Sequence, residues 1–548
     1  MTRLLIVDAM EIGRGASSLL WAVDRLRLIR SLGLQVVPLT PCESGYRPRG
    51  EGWTERLRAA IEEAHEAVRN TVPDAVGWAI EAVPSLSVAD EASLTEASMS
   101  LGVPLLVAEQ AAALGQRSWI FTGTGVRGRM MRTALRGNSS RIGVIGPWGQ
   151  PPRPREAGGE VVTPPADVGG SILVVAGSNA MAGSLDPVAA RLRDLSTHPV
   201  HRMSTDELPE RSPGSSPRLE MEVVGNEPVE WSATKRLMAR TALAAGKELL
   251  RSGHGMRDQV MALKEWLRQS PPSLIIVGND RVGPGAALVC AARSLGIRTL
   301  SVQDGVAADE PLWWIRHAEW TASNGTQLRD LLVARGAPGA NIRITGQPRY
   351  GPLEKSASSR RAERQRERAA LPRRGSPPVV LVALQDKHDV SFVRELLYGI
   401  AILAELRPVN IIVRPHPSSN VESAEWLPPD AKSSQRWVVD STTPAMEALE
   451  QATIVVGQYS TMLAEAAARG IPVVSFHPAP APVTLDLSAC GVAQSAGNTE
   501  DLVLRCLDAI DGRGPPDDAP EAALALLGAL DGRSEDRVAA FALEILKA

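Results

Sequence analysis

Over residues 379–476 short apolar runs alternate with helix-patterned stretches, and the connections between them are short. Runs at 379–384, 410–413, 454–456 and 472–476 read as strands, while 391–406, 445–449 and 462–469 carry helical apolar spacing. Alternation of this kind builds a doubly wound parallel sheet, and such sheets take ligands at the carboxyl ends of their strands. A second series starts at Ile172, with strands expected at 172–176, 274–277, 299–302 and 342–345 and helices at 233–251, 255–268, 286–295 and 327–333. The expected fold class is α/β: two facing Rossmann-like domains with parallel sheets, plus an N-terminal α/β extension.

The extension opens as β-α-β, with strands at 4–8 and 36–39 around a helix at 17–32. Helices follow at 55–70 and 89–101, and the apolar run 103–107 reads as a strand. A chain of 548 residues is too long for one core. The proline- and glycine-rich stretch 147–170 marks one boundary. The stretch 355–378, rich in Arg, Ser and Pro with little to bury, reads as an exposed linker. The expected division is an N-terminal segment 1–165, a Rossmann-like domain 166–352, a basic linker 353–377 and a second Rossmann-like domain 378–548.

A net charge of −3 argues against a nucleic-acid partner, which calls for a strongly basic face. Four scattered cysteines, Cys42, Cys290, Cys490 and Cys506, fit free thiols in a reducing compartment. The first apolar run ends at Asp8, too short for a signal-peptide core, and no uninterrupted apolar stretch of about twenty residues follows. The expected location is cytoplasmic. The arginine-rich linker leaves open a peripheral contact with anionic lipid at the inner membrane surface.

Three clusters fall at expected strand ends. Asp304-Gly305, preceded by Gln303, leaves the strand 299–302, and Gly305 permits a tight turn that displays Asp304. A carboxylate there is placed to take a proton from an acceptor hydroxyl; a plain strand-capping turn is the alternative. Arg414-Pro415-His416-Pro417 ends the strand 410–413, because the prolines remove amide donors. Arg414 and His416 fixed at that edge suit an anion, with a phosphate the first candidate; a turn histidine is the alternative. Ser460 and Thr461 open the helix after strand 454–456, with Glu465 one turn on. Helix-start amides and two hydroxyls make an anion site, and Glu465 can accept from a ribose diol. A Ser/Thr cap with a Glu partner is the competing reading.

Asp304-Gly305, His416-Pro417 and Ser460-Thr461, in this order, resemble the D/E-D/E-G, HP and S-S/T motifs of bacterial sialyltransferases, related to those of capsule polysaccharide transferases and CDP-glycerol glycerophosphotransferases. Asn279-Asp280-Arg281 and the turn Thr345-Gly346-Gln347-Pro348-Arg349-Tyr350 are similar to segments of the same enzymes. The resemblance covers residues from about 270 to 480. It implies a GT-B-like fold, with 166–352 as acceptor domain and 378–548 holding a nucleotide-activated donor, CMP-sugars favoured. It further implies that Asp304 is the general base, that His416 acts on the donor phosphate, and that Arg414, Gly305, Ser460, Thr461 and Glu465 line the donor and phosphate site. The acceptor would be a glycan or a lipid-linked glycan in surface polysaccharide synthesis. Gln303 stands where the sialyltransferases carry a second acid. The spacing of Ser460 and Glu465 also resembles that of UDP-GlcNAc 2-epimerases. A glycerophosphotransferase, an epimerase and a non-catalytic GT-B scaffold therefore stay open as alternatives.

No D-x-D motif occurs, which argues against a metal-bridged diphosphate, and neither metal nor cofactor is expected. Gln385 and His388, after strand 379–384, are candidate substrate contacts beside Gln303. Trp313-Trp314 can stack on a sugar face or pack in a core. The glycine-rich 122–128 lacks the lysine of a phosphate-binding loop and reads as a loop.

Overall fold

The computed structural model describes residues 3–7, 35–38, 53–82, 86, 88–113, 117–121, 126–135, 142–145, 168–209, 230–252, 256–308, 311–350, 377–384, 390–416, 427–428, 434–478, 485–513 and 518–547. The helix expected at 17–32, the glycine-rich 122–125, the linker, Gln385 and His388 lie outside them.

Three parallel sheets carry the fold. β1 (Arg3–Val7), β2 (Gln35–Pro38), β3 (Arg117–Phe121) and β4 (Ile142–Ile145) pair in the order β2-β1-β3-β4. β5 (Ile172–Ala176), β6 (Val200–Ser204), β7 (Leu274–Val277), β8 (Arg298–Val302), β9 (Trp320–Ser323) and β10 (Ile342–Ile344) run β10-β9-β8-β7-β5-β6. β11 (Val379–Ala383), β12 (Asn410–Arg414), β13 (Trp437–Val439), β14 (Ile454–Gly457), β15 (Val473–Phe476) and β16 (Gln494–Ala496) run β13-β12-β11-β14-β15-β16. Counted within its own sheet, the last follows the Rossmann order 3-2-1-4-5-6. Its central strands are apolar runs rich in valine because both faces are covered by helices; β14 and β15 are buried throughout.

The order reverses between β5 and β7 in the middle sheet and between β11 and β14 in the last. Those two switch points are where an open parallel sheet leaves a crevice for ligand. Val306, Ala308 and Tyr350, from loops of the middle sheet, share a core with Leu381, Ala383, Val455 and Leu463 of the last. The carboxyl edges of the two sheets thus face each other, the GT-B-like arrangement expected from the sequence, with the small sheet as an added N-terminal piece.

Packing moves some segments away from their sequence neighbours. The run 103–107, expected as a strand, lies inside the helix Val88–Ala113, which continues through Pro104. Leu105, Leu106 and Val107 are buried with residues of the helices Trp53–Ala82 and Ala233–Ser252. A short run buried on all sides carries no period to separate strand from helix. The strand is Arg117–Phe121, which was not anticipated. The helix Ser534–Lys547 returns from the last domain to the middle sheet, where Val538, Phe541 and Ile545 pack on Ile172, Val174 and Leu300. Among the described residues no helix is long and apolar enough to cross a membrane.

Candidate active site between the facing sheets

On the middle sheet, β7 runs into Gly278-Asn279-Asp280-Arg281 and β8 into Gln303-Asp304-Gly305. Asp280 is fully buried: one oxygen accepts from Ser301 Oγ (2.8 Å) and Arg316 Nη1 (3.0 Å), the other from the amides of His317 and Ala318 (2.9 Å each). Burial pushes its pKa up, but Arg316, the Ala318 amide, the nearby His317 ring and Ser301 outweigh it and hold Asp280 below the usual carboxylate range. It is a brace for the loop, not a reacting acid.

Asp304 stands at the cleft, its side chain 20% exposed. Both of its oxygens accept from Arg281 Nη2, at 2.7 and 2.9 Å. Arg281 is itself 7% exposed, and its guanidinium lies 3.7 Å from the Trp313 ring centroid. Trp313 packs against the core, as the sequence allowed, and it also forms the plate on which Arg281 rests. Gln303 turns inward: its Oε1 accepts from the Asn324 amide (2.7 Å) and Ser323 Oγ (3.3 Å), and its Nε2 donates to the Gly305 carbonyl. Its amide ties β9 to the Asp304-Gly305 turn, so Gln303 shapes the turn.

On the last sheet, Gly457 marks the switch point, where a Cβ would come within 2.7 Å of the Ala383 carbonyl on β11. That close approach sets the crevice. Ser460 caps the helix Thr461–Ala468, its Oγ accepting from the Met462 amide at 3.2 Å. The capping role is therefore real, and it leaves the hydroxyl proton of Ser460 available to an anion. Thr461 Oγ1 accepts from the Val306 amide at 3.4 Å, which seats this helix start against the Asp304-Gly305 turn.

Glu465, 7% exposed, faces the arginine-tyrosine turn of the other domain. Burial raises its pKa, while Arg349, Arg469 and the Tyr350 hydroxyl partly counter that. Burial and the Glu465 charge push the Tyr350 phenol up in turn. Arg349 Nη2 donates to the Tyr350 oxygen at 3.0 Å and feels both Glu465 and Asp304. Arg349 is thus the charge that links the two halves of the crevice.

Arg414 ends β12, paired in register with Ala383 of β11, and its side chain is 12% exposed. Its Nη1 is 4.0 Å from Asp440 and has no hydrogen-bond partner. Asp440 is held down to about 2 by the amide and side chain of Thr443, with Thr442 adding to it. His416 follows two residues on, half-buried. Among the described residues no group of three or more His, Cys, Asp or Glu is placed to hold a metal ion.

The structure therefore gathers Asp304, Gly305, Thr461 and Glu465 at one place, with Ser460 at the same helix start, Arg414 at the end of β12 beside β11, and His416 two residues beyond it. Arg281, Arg316, Arg349 and Tyr350 join them without having been given a role from sequence. For Arg281 and Arg349 a signal existed, a charge directly beyond an apolar strand or in the turn before the linker. His477, just past β15, was also missed. Ser475 Oγ donates to the Gln458 carbonyl (2.7 Å), so it accepts from His477 Nε2 (2.7 Å), leaving Nδ1 as a buried acceptor without a partner.

No protein-family model and no curated protein matches the chain. Solved structures that it resembles include a UDP-GlcNAc 2-epimerase of Methanocaldococcus jannaschii in complex with UDP-GlcNAc and UDP, at 14% identity and TM-score 0.44 over 68% of this chain and 99% of that one. S. aureus MnaA with UDP gives 10% identity and TM-score 0.45 over 69% and 98%. The wall teichoic acid polymerase TagF soaked with CDPG gives 11% and 0.40 over 69% and 89%. At these values the likeness assigns neither donor nor reaction to this chain.

Proposed function

We propose that the protein is a GT-B-type transferase that moves a sugar from a nucleotide donor, CMP-sugars favoured, to an acceptor glycan in surface polysaccharide synthesis. The observation that carries this reading is the Asp304-Gly305 turn, which follows β8, seated on the helix start of Ser460 and Thr461 at the switch point of the last sheet. In this reading helix-start amides, Ser460, Arg414 and His416 hold the donor phosphate, and Glu465 takes the ribose. The acceptor hydroxyl gives its proton to Asp304 as its oxygen bonds to the sugar carbon. The bond from that carbon to phosphate oxygen breaks, and its electron pair leaves on the phosphate. Positive charge on the arginines offsets the leaving group.

The pairing of both Asp304 oxygens with Arg281 favours a second reading, a binding subunit that never turns over. A thermal-shift screen of the full chain against CMP, CDP, UDP, GDP and ADP tests the donor site, with His416→Ala alongside. Stabilisation by one nucleotide that His416→Ala loses is the expected result. A folded protein that responds to none of them ends the donor-site assignment. A protein that binds nucleotide yet consumes no donor in the presence of acceptor glycans supports the second reading.

A further inference from the structure

Arg316 is short of acceptors. Its side chain is 9% exposed, its Nη1 meets Asp280, and its Nε and Nη2 are both buried without a hydrogen-bond partner. Asp280 cannot supply more, because it already accepts from Ser301, Arg316 and two backbone amides. A buried charged donor left unmade is costlier than a neutral one, and a group in that state calls for a water or an ion as acceptor. The same Trp313 ring lies 6.0 Å from the Arg316 guanidinium and 3.7 Å from that of Arg281. Two cations therefore share one aromatic plate, close enough that the Arg281 charge works against that of Arg316.

An oxyanion resolves this arrangement. The unpartnered edge of Arg316, buried behind Trp313 and Arg281, carries two N–H nitrogens in the planar fork that matches phosphate or carboxylate, and an anion also relieves the repulsion between the two guanidinium groups. Arg281 has one strong partner to give up, Asp304, which stands nearer solvent than either arginine.

We propose that Arg316 and Arg281, against Trp313, form a subsite for a phosphate or carboxylate carried by the acceptor, and that this anion draws Arg281 off Asp304. The subsite itself stands on the geometry; that its anion belongs to an acceptor rests on the transferase reading. Release of Arg281 frees the Asp304 oxygens to take the hydroxyl proton, so the base becomes available only when an anionic acceptor is bound. A neutral acceptor leaves Asp304 paired.

The test is calorimetric titration of the full chain with inorganic phosphate at constant ionic strength in chloride, repeated with a saturating nucleoside diphosphate. Wild type is expected to bind phosphate in both conditions, and Arg316→Lys and Arg281→Gln each to weaken it at least tenfold with an unchanged far-ultraviolet spectrum. Should Arg316→Lys not fold, Arg281→Gln decides alone. Absence of phosphate binding in wild type overturns the subsite, as does undiminished binding in the folded variants. Loss of phosphate binding when nucleotide is present also overturns it, since that puts the anion in the donor site. Phosphate binding by a protein that ignores every nucleotide keeps the subsite and sinks the transferase reading.

Discussion

Glu465 sits where burial makes its carboxyl hard to ionise. Burial is the main cause, and Arg349, Arg469 and Tyr350 only partly offset it, so its folded pKa lies above the unfolded value of about 4.3. The sign follows from linkage. Below the unfolded pKa both states hold the proton and the burden is absent; as pH rises through the folded pKa the carboxylate ionises at a cost to the fold. Glu465→Gln is therefore expected to stabilise the protein at pH 7 by about 1 kcal/mol, the usual size when a functional-site burden is relieved. That gain should shrink below about pH 4. Urea unfolding at both pH values checks it, and a variant weaker than wild type at pH 7 would refute the argument. The same variant should bind nucleotide less tightly if Glu465 holds a ribose.

At the level of elements, the helix Ser534–Lys547 belongs to the middle sheet by packing though it comes from the end of the chain. Phe541 is 3% exposed within that core, and Arg343 covers its ring at 4.7 Å. Phe541→Ala leaves a cavity over β5 and β8 and is expected to cost about 3–5 kcal/mol. Denaturant unfolding reads the loss; a change below about 1 kcal/mol would mean the helix is not part of that core. The helix also ties the last sheet to the middle one, since the chain returns here after building the last sheet.

For the whole molecule, the facing of the sheets depends on backbone meeting backbone. A Cβ on Gly325, at the start of the helix Thr326–Ala334, would lie 2.0 Å from the Ala525 carbonyl of the helix Ala519–Leu527. No rotamer change relieves a backbone clash, so Gly325→Ala must part the two helices. The expected cost is about 1–3 kcal/mol, with a larger radius of gyration in solution scattering. Unaltered scattering and an unaltered unfolding midpoint together would show that the two domains do not meet here.

The central strands of residues 172–476 were legible from the chain, because β-branched runs and proline stops act locally, but β6, β9, β13 and the helix Asn179–Leu195 were not. The positions of Asp304 at a strand exit and of Ser460, Thr461 and Glu465 at a helix start were legible as well, since each follows on a readable strand or lies in the first turns of a readable helix. The run 103–107 was not, since burial on every side erases the period. What the sequence alone determined was therefore the α/β class, the central strands of the two larger sheets and the residues at their ends. The tertiary structure alone decided that Arg281 holds Asp304, that Tyr350 and Arg349 meet Glu465 from the other domain, that Gln303 turns inward, and that the last helix returns to the middle sheet. These are contacts between groups far apart along the chain, fixed by strand order and close packing, and no local pattern encodes which charge will find which.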